Sequence, residues 1–398
     1  MSGIKEFKAY LIVVLLLGFV LTGNAQKSAI YTDKDYTFKQ ALDLYEKMEF
    51  AAAQLAFIHV AESSPDHHTL ISADADYYSA LCAMELFHRD AEYLLKKFIH
   101  DHPESPRVRS VYFNLGKYNY RKKTYKDAIE WFNKVEIYDL TEEDKAELYF
   151  KRGYSYLERD SIAKATSDFD EIRDKNTKYS IPAIYYYAHI QYNAKNYESA
   201  LQGFQKLEKD PTFGPVVPYY IAQIFYLQHK YNEVIAYAPA LLDSGHTKRL
   251  PELARILGES YFKTNRYAEA IPFLERYHKT ASLTRSDSYE LGYAYYMTSN
   301  CDAAIASFKE AVGVDDTLAQ NAWYHMGACY LKKSNRQFAQ NAFGEASRLH
   351  FNRAIREDAL FVFAELTYEL SYSPFNQAIK ALQQYIAEYP GSPRSDEA

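Results

Sequence analysis

Cysteine, glycine and proline are all scarce: 3, 14 and 13 among 398 residues. Cys82, Cys301 and Cys329 are an odd set without a CxxC pair, so no disulfide framework holds the fold. Cys82 and Cys329 lie on apolar helical stretches and read as small buried hydrophobes. Few Gly and Pro exclude a collagen-like rod, and 48% hydrophobic with 25% charged residues excludes a disordered chain. There is no dense Lys/Arg block, and the formal charge is -6, which argues against nucleic acid or an anionic membrane as the main partner. No apolar run reaches the roughly 20 residues a membrane span needs.

The most apolar run, Tyr10 to Leu21, follows Lys5 and Lys8 and precedes Thr22-Gly23-Asn24-Ala25-Gln26. This pattern predicts a secretory signal peptide over residues 1–25, cut after Ala25, and then a linker over 26–35. Lys5 and Lys8 outnumber Glu6 by one, so the exported chain carries -7. No Cys stands near the cut, which excludes a lipoprotein anchor. A P-loop, HExxH, GxSxG and a dinucleotide glycine fingerprint are absent too, and no catalytic residue is assigned.

What the chain has in quantity is aromatic: 39 Tyr and 23 Phe. They recur in register. A small residue is followed twelve positions later by a second, as in Gly116 and Ala128, Gly153 and Ala165, Gly258 and Ala270, Gly292 and Ala304, and Gly327 and Ala339. Extended along the chain, the second position falls at Ala53, Ala91, Ala128, Ala165, Ala200, Val234, Ala270, Ala304, Ala339 and Ala378, in steps of 34 to 39 residues. Such a period is one helix-turn-helix. Two small residues let antiparallel helices approach closely, while Tyr three residues after the first and Phe four after the second fill the groove. Pro65, Pro103 and Pro390 each stand twelve residues past a second small position, where proline stops a helix.

On those residues the chain resembles the tetratricopeptide repeats, over 36–390 in about ten repeats. The resemblance implies an all-α, right-handed α-α superhelical solenoid. The phrases Phe98-Ile99-His100-Asp101-His102-Pro103-Glu104-Ser105-Pro106 and Tyr385-Ile386-Ala387-Glu388-Tyr389-Pro390-Gly391-Ser392-Pro393 are also similar to inter-repeat phrasing in bacterial envelope repeat proteins. Ser105 and Pro106 suit an N-cap and first helical position, and Ser392 and Pro393 repeat them, so 391–398 reads as the start of a further, truncated repeat. Pro239 and Pro272 predict kinks inside second helices, and the stretch from Lys209 to Pro251 a change of curvature.

In the tetratricopeptide fold the first helices line the concave face. Positions three before and four after the first small residue share one helical stripe. The first offset gives Phe38, Phe113, Phe150, Tyr185, Tyr219, Tyr289, Tyr324 and Phe361; the second gives Tyr45, Tyr120, Tyr192, Tyr226, Phe262, Tyr296 and Tyr368. One reading is that these rings pack between neighbouring helices. The other is a partner-binding groove centred on Tyr185, His189, Tyr192, Tyr219, Gln223, Tyr226, Phe262, Tyr289, Tyr293, Tyr296 and Tyr324. Family members that grip a C-terminal carboxylate use a Lys/Asn/Arg clamp; Lys117, Arg121 and Arg255 stand at comparable positions here, without the paired Asn residues.

His59, His67, His68, His88, His100 and His102 crowd the first two repeats, but on loops without fixed geometry or a Cys partner, so no metal is assigned and no cofactor is expected. Glu142-Glu143 and Asp315-Asp316 read as solvated helix caps, with Thr141 and Asp144 as a capping box. The expectation is a non-catalytic scaffold in the bacterial periplasm or at the outer membrane, binding another envelope protein or peptide. The alternatives are a glycan- or peptidoglycan-associated solenoid and the repeat part of a longer protein with a domain beyond Ala398.

Overall fold

The structure, a computed structural model, describes residues 34–63, 69–280, 283–370 and 377–398. The expected signal peptide, most of the linker, Pro65, His67 and His68 lie outside these residues. Among the described residues there are twenty α-helices and no strand. They are α1 (Lys34–Glu46), α2 (Phe50–Glu62), α3 (Leu70–Glu85), α4 (Ala91–Asp101), α5 (Arg107–Arg121), α6 (Tyr125–Phe132) and α7 (Glu142–Glu158). Next come α8 (Ile162–Arg173), α9 (Ser180–Asn193), α10 (Tyr197–Lys206), α11 (Val217–Leu227), α12 (Tyr231–Ser244), α13 (Leu250–Lys263) and α14 (Tyr267–His278). The series closes with α15 (Arg285–Met297), α16 (Cys301–Ala311), α17 (Thr317–Lys332), α18 (Arg336–Arg348), α19 (Arg353–Leu370) and α20 (Gln377–Glu388). Odd-numbered helices are the first members of ten pairs and even-numbered ones the second, as the twelve-residue spacing predicts. The chain divides into two units within α9, one ending at Ile190 and one starting at Gln191.

Close approach of the paired helices is visible at the small positions. Ala53, Ala91, Ala128, Ala165, Ala200, Val234, Ala270, Ala304 and Ala339 are fully buried. The large residue four positions later lies on the first small residue of its own pair. A Cβ added to Gly116 would stand 2.5 Å from the Phe132 ring, one on Gly292 2.8 Å from Phe308, and one on Gly327 2.8 Å from Phe343. Burying a Phe side chain contributes about 1.5–3 kcal/mol. The repeated Gly–Phe contact is therefore both the spacer and a main apolar contribution of each such pair.

Nine of the turns inside pairs share one geometry. Met48, Phe87, Lys123, Asp160, Lys195, His229, Asn265, Ser299 and Ser334 all hold φ between 57° and 62°, in the left-handed region. The next residue closes a six-to-one backbone bond, as in Asn196 N–H to Gln191 O at 2.9 Å and Asn300 N–H to Tyr295 O at 2.8 Å. This is the Schellman termination that usually employs glycine. Here side chains occupy every one of those nine positions, which is why scarce glycine is compatible with so many tight turns.

Caps differ in detail from expectation. Thr284 and Asp287 form a reciprocal capping box at α15. At α7, Thr141 Oγ1 accepts from Asp144 N–H at 3.1 Å and donates to the Asp144 carboxylate at 2.7 Å, so the box closes through side chains. Helix α5 starts at Arg107, one residue past Pro106, while the Ser105 hydroxyl accepts the Arg107 N–H at 3.3 Å. Pro239 and Pro272 lie inside α12 and α14, which continue through them. Residues 391–398 form turns, not a helix, and pack back on α19 and α20: Tyr385 and Ser392 hydroxyls lie 2.7 Å apart and Arg394 pairs with Asp358 at 2.6 Å.

Candidate binding surface

Tyr185 and His189 belong to the first unit. Both are half-buried on α9 with ring centroids 6.1 Å apart. Tyr186 beside them stacks on the buried Phe169 at 5.6 Å, which anchors that face of the helix.

The remaining expected groove residues lie in the second unit, all half-buried. Tyr192 meets Tyr197 at 6.2 Å and Tyr220 at 5.4 Å, and burial pushes its hydroxyl up to about 12. The Arg249 guanidinium stands 4.9 Å over the Tyr219 ring. Gln223 turns Oε1 into a buried place with no hydrogen-bond partner. Tyr226 packs on Tyr231 at 5.7 Å; burial and a hydrogen bond to Glu259 push its hydroxyl pKa up. Tyr324 reaches Asp358 at 2.6 Å and rests on Phe343 at 5.7 Å, and Tyr289 rests on Phe308 at 5.6 Å. Where a pair carries that Phe, the ring three before the first small residue is thus seated on it, as Tyr289 and Tyr324 are. Phe38 on Phe57, Phe113 on Phe132 and Phe150 on Phe169 repeat the contact in the first unit.

The stripe four after the small residue seals the seam between pairs, with a ring that sequence reasoning passed over. Phe262, Tyr267 and Tyr293 meet edge to face at 5.5, 5.8 and 5.7 Å. Tyr120, Tyr125 and Tyr154 do the same at 6.2, 5.8 and 5.9 Å. Tyr45 makes both contacts of its set, to Phe50 at 5.5 Å and Tyr78 at 5.3 Å. The overlooked member opens the second helix three residues before its small position, at Phe50, Tyr125, Tyr197, Tyr231 and Tyr267; that spacing is the signal that finds it.

A second residue not foreseen is His325 on α17. Its ring lies 4.8 Å from Tyr296, 5.0 Å from Tyr293, 5.4 Å from Tyr324 and 5.9 Å from Phe308. Burial lowers its pKa to about 4, so the imidazole is neutral at physiological pH, and its Nδ1 has no partner. One turn earlier, Asn321 Oδ1 is also buried and unpartnered. Both residues border an open hollow of about 410 Å³. Close by, burial followed by the Glu259 charge raises Glu290 to about 7, with Lys263 Nζ 3.7 Å from its carboxylate.

The clamp-like cations are engaged elsewhere. Lys117 is half-buried with its Nζ over the Phe113 ring at 4.6 Å, Arg121 donates to Met84 O at 3.1 Å, and Arg255 pairs with Glu259. Two larger hollows of the first unit, about 680 and 710 Å³, have polar groups that satisfy each other, as in His102 with Asp76 at 3.0 Å and Arg107 bidentate on Asp74 at 3.0 and 3.1 Å. Among the described residues no group of three His, Cys, Asp or Glu could hold a metal, and no helix is long and apolar enough to cross a membrane. All three cysteines are buried thiols.

Residues 87–141 and 358–392 match family models described as tetratricopeptide repeat. None of the curated proteins matches the sequence. Among solved structures, one described as Naa15/Naa10 bound to HypK-THB is similar at 12% identity and TM-score 0.45, covering 91% of this chain; the chain spans 59% of that one's length. A tetratricopeptide repeat protein from Parabacteroides merdae is similar at 12% identity and TM-score 0.36, with 83% of this chain and 98% of that one covered. The P58(IPK) tetratricopeptide domain is similar at 14% identity and TM-score 0.27, over 86% of this chain and 100% of that one.

Proposed function

Because the chain is a tetratricopeptide-repeat protein, we propose that it is a non-catalytic scaffold of the bacterial cell envelope that holds another envelope protein by a segment laid along the aromatic faces of its first helices. The observation that carries this reading is Gln223. Its buried Oε1 lacks a partner on the same helix as Tyr219 and Tyr226, where tyrosine rings offer flat contact area with polar tips. Tyr219, Gln223 and Tyr226 stand half-buried along one face of α11, and a partner segment would gain the contact area of the two rings there. The charged-residue signal ahead of Tyr10 supports export, and peripheral association with the outer membrane would follow from the partner.

The test is a photo-crosslinking amino acid placed at Gln223, or at the exposed Leu55 on a second helix, in cells that make the protein. The expected result is one envelope protein captured at Gln223 and not at Leu55. Equal capture at both, or capture at Leu55 alone, overturns the groove. Export is read separately, from cell fractions and from a mature N-terminus at Gln26.

A further inference from the structure

Two of the three cysteines lie against each other. Cys301 opens α16 and Cys329 stands near the end of α17, and both belong to one buried apolar cluster of the second unit, with Ala304, Phe308 and Met326. The Cys329 thiol shares a hydrogen bond with the Cys301 sulfur; burial, and then that bond, pushes the Cys329 pKa up to about 12. Contacts on both sides fix the pair in place. Asp302, next to Cys301, pairs with Lys333, one helical turn past Cys329. Further along α16, the Phe308 ring lies 5.9 Å from His325, one turn before Cys329. Cys82 stands apart: it belongs to the first unit, packed with Ala41, Phe57 and Ala75.

Two sulfurs already in hydrogen-bond contact need side-chain rotation and a small approach of their helices to reach the disulfide length of about 2.05 Å. One such bond would tie α16 to α17 across the joint between two repeats. The closed pair gives an oxidant no way in. Cys301 is 8% exposed and Cys329 0%, and a thiol held protonated by burial is no nucleophile. The bond therefore has to be made while the chain folds, before α17 docks.

We propose that Cys301 and Cys329 are joined by a disulfide when the chain folds in the presence of a small disulfide oxidant such as oxidised glutathione, and that Cys82 stays a thiol. In the open chain one of the two cysteines attacks the oxidant as its thiolate, forming a mixed disulfide and releasing half of the oxidant as a thiol. Docking of α17 then brings the second sulfur onto the first, and the other half leaves as a thiol. Two protein S–H bonds and the oxidant's S–S bond become one protein S–S bond and two oxidant S–H bonds, so protons and electrons balance. The finished bond holds His325 in register with Tyr296 and Phe308, and the closed core shields it from reductant. This goes beyond the scaffold reading; export, as proposed above, supplies the oxidising surroundings in cells, whereas the test supplies its own.

For that test the full chain is unfolded with reductant and refolded in reduced and oxidised glutathione. Free thiols are then blocked, and the protein is digested without reduction and mapped by mass spectrometry. The expected product is a peptide pair joined through Cys301 and Cys329, with Cys82 carrying the blocking group. Blocked or glutathione-bearing Cys301 and Cys329, or Cys82 in a disulfide, overturns the proposal. Reduction is expected to lower the urea midpoint of the unaltered protein and of Cys82→Ala by about 1 M and to leave that of Cys301→Ala in place; equal shifts in all three overturn it. Protein taken from cells with thiols blocked at lysis separates the two readings: a bond formed on refolding but missing in cells supports the cysteine pair and tells against export.

Discussion

The Phe132 ring lies so close to Gly116 that a Cβ there would stand 2.5 Å away. The Gly is therefore retained in the middle of α5 despite a helix-propensity cost of about 1 kcal/mol relative to Ala. Gly116→Ala gains that propensity but forces the ring and its neighbours apart, which costs about 1–3 kcal/mol, and the net is expected to be a loss. Gly313, with nothing within 4 Å of an added Cβ, is the comparison: Gly313→Ala leaves the melting temperature nearly unchanged. Equal effects at both positions would contradict the close-approach account.

Lys195 holds φ 62° in its turn. A left-handed L-residue costs about 1–2 kcal/mol, whereas glycine there loses about 0.4–1 kcal/mol through the freer unfolded chain. Lys195→Gly is expected to stabilise the protein by about 0.5 kcal/mol, read as a higher urea midpoint with unchanged slope.

Arg152 grips Asp168 with two bonds of 2.8 Å, and both side chains are largely buried. Burial raises the Asp168 pKa while the guanidinium opposes that shift. Removing one partner strands the other, so Asp168→Ala is expected to cost about 3–5 kcal/mol. Replacing both by Leu should restore much of the loss. A double-mutant cycle by denaturant unfolding reads the difference, and additive single effects would argue against coupling.

His325 and Glu290 give opposite pH slopes. The folded imidazole has its pKa depressed from 6.5 to about 4, so the stability carried by the neutral ring is complete above 6.5 and is lost as pH falls toward 4. The span is worth on the order of 3 kcal/mol. Glu290 is raised from 4.5 to about 7, so its contribution is present below 4.5 and lost as pH rises through 7. His325→Phe should flatten the acid limb, and Glu290→Gln should stabilise at pH 8 and do little at pH 5. Unfolding curves across that range, with the imidazole followed by NMR, check both signs.

The pairing of helices was legible because it rests on one spacing. Small residues twelve apart and an apolar residue four later, Phe in six of the ten pairs, are local facts whose packing partner belongs to the same repeat, and the second small positions are buried from Ala53 to Ala378. Contacts between repeats were less legible. Tyr125 and Tyr267 carry a periodic signal, but their purpose depends on Tyr154 and Tyr293 in the next pair. The left-handed turns hid because Lys195 or Phe87 stands where glycine would announce them. His325 was least visible: a lone histidine on an apolar helix gains meaning only from the rings of α15, α16 and α17 that enclose it.

Ring-sealed seams are interspersed with seams sealed otherwise, because the residue opening the second helix is Tyr125 or Tyr267 in some pairs but Ile162, Cys301 or Arg336 in others. In a repeat array each pair answers only to its neighbours. Within the second unit the seam after α16 is closed instead by the His325 ring on Tyr293, Tyr296 and Phe308, and the one after α18 by Gln320, whose carboxamide holds Ala346 O, Leu349 O and the Asn352 N–H, so each joint carries a closure of its own and none is left as a line along which the array would part.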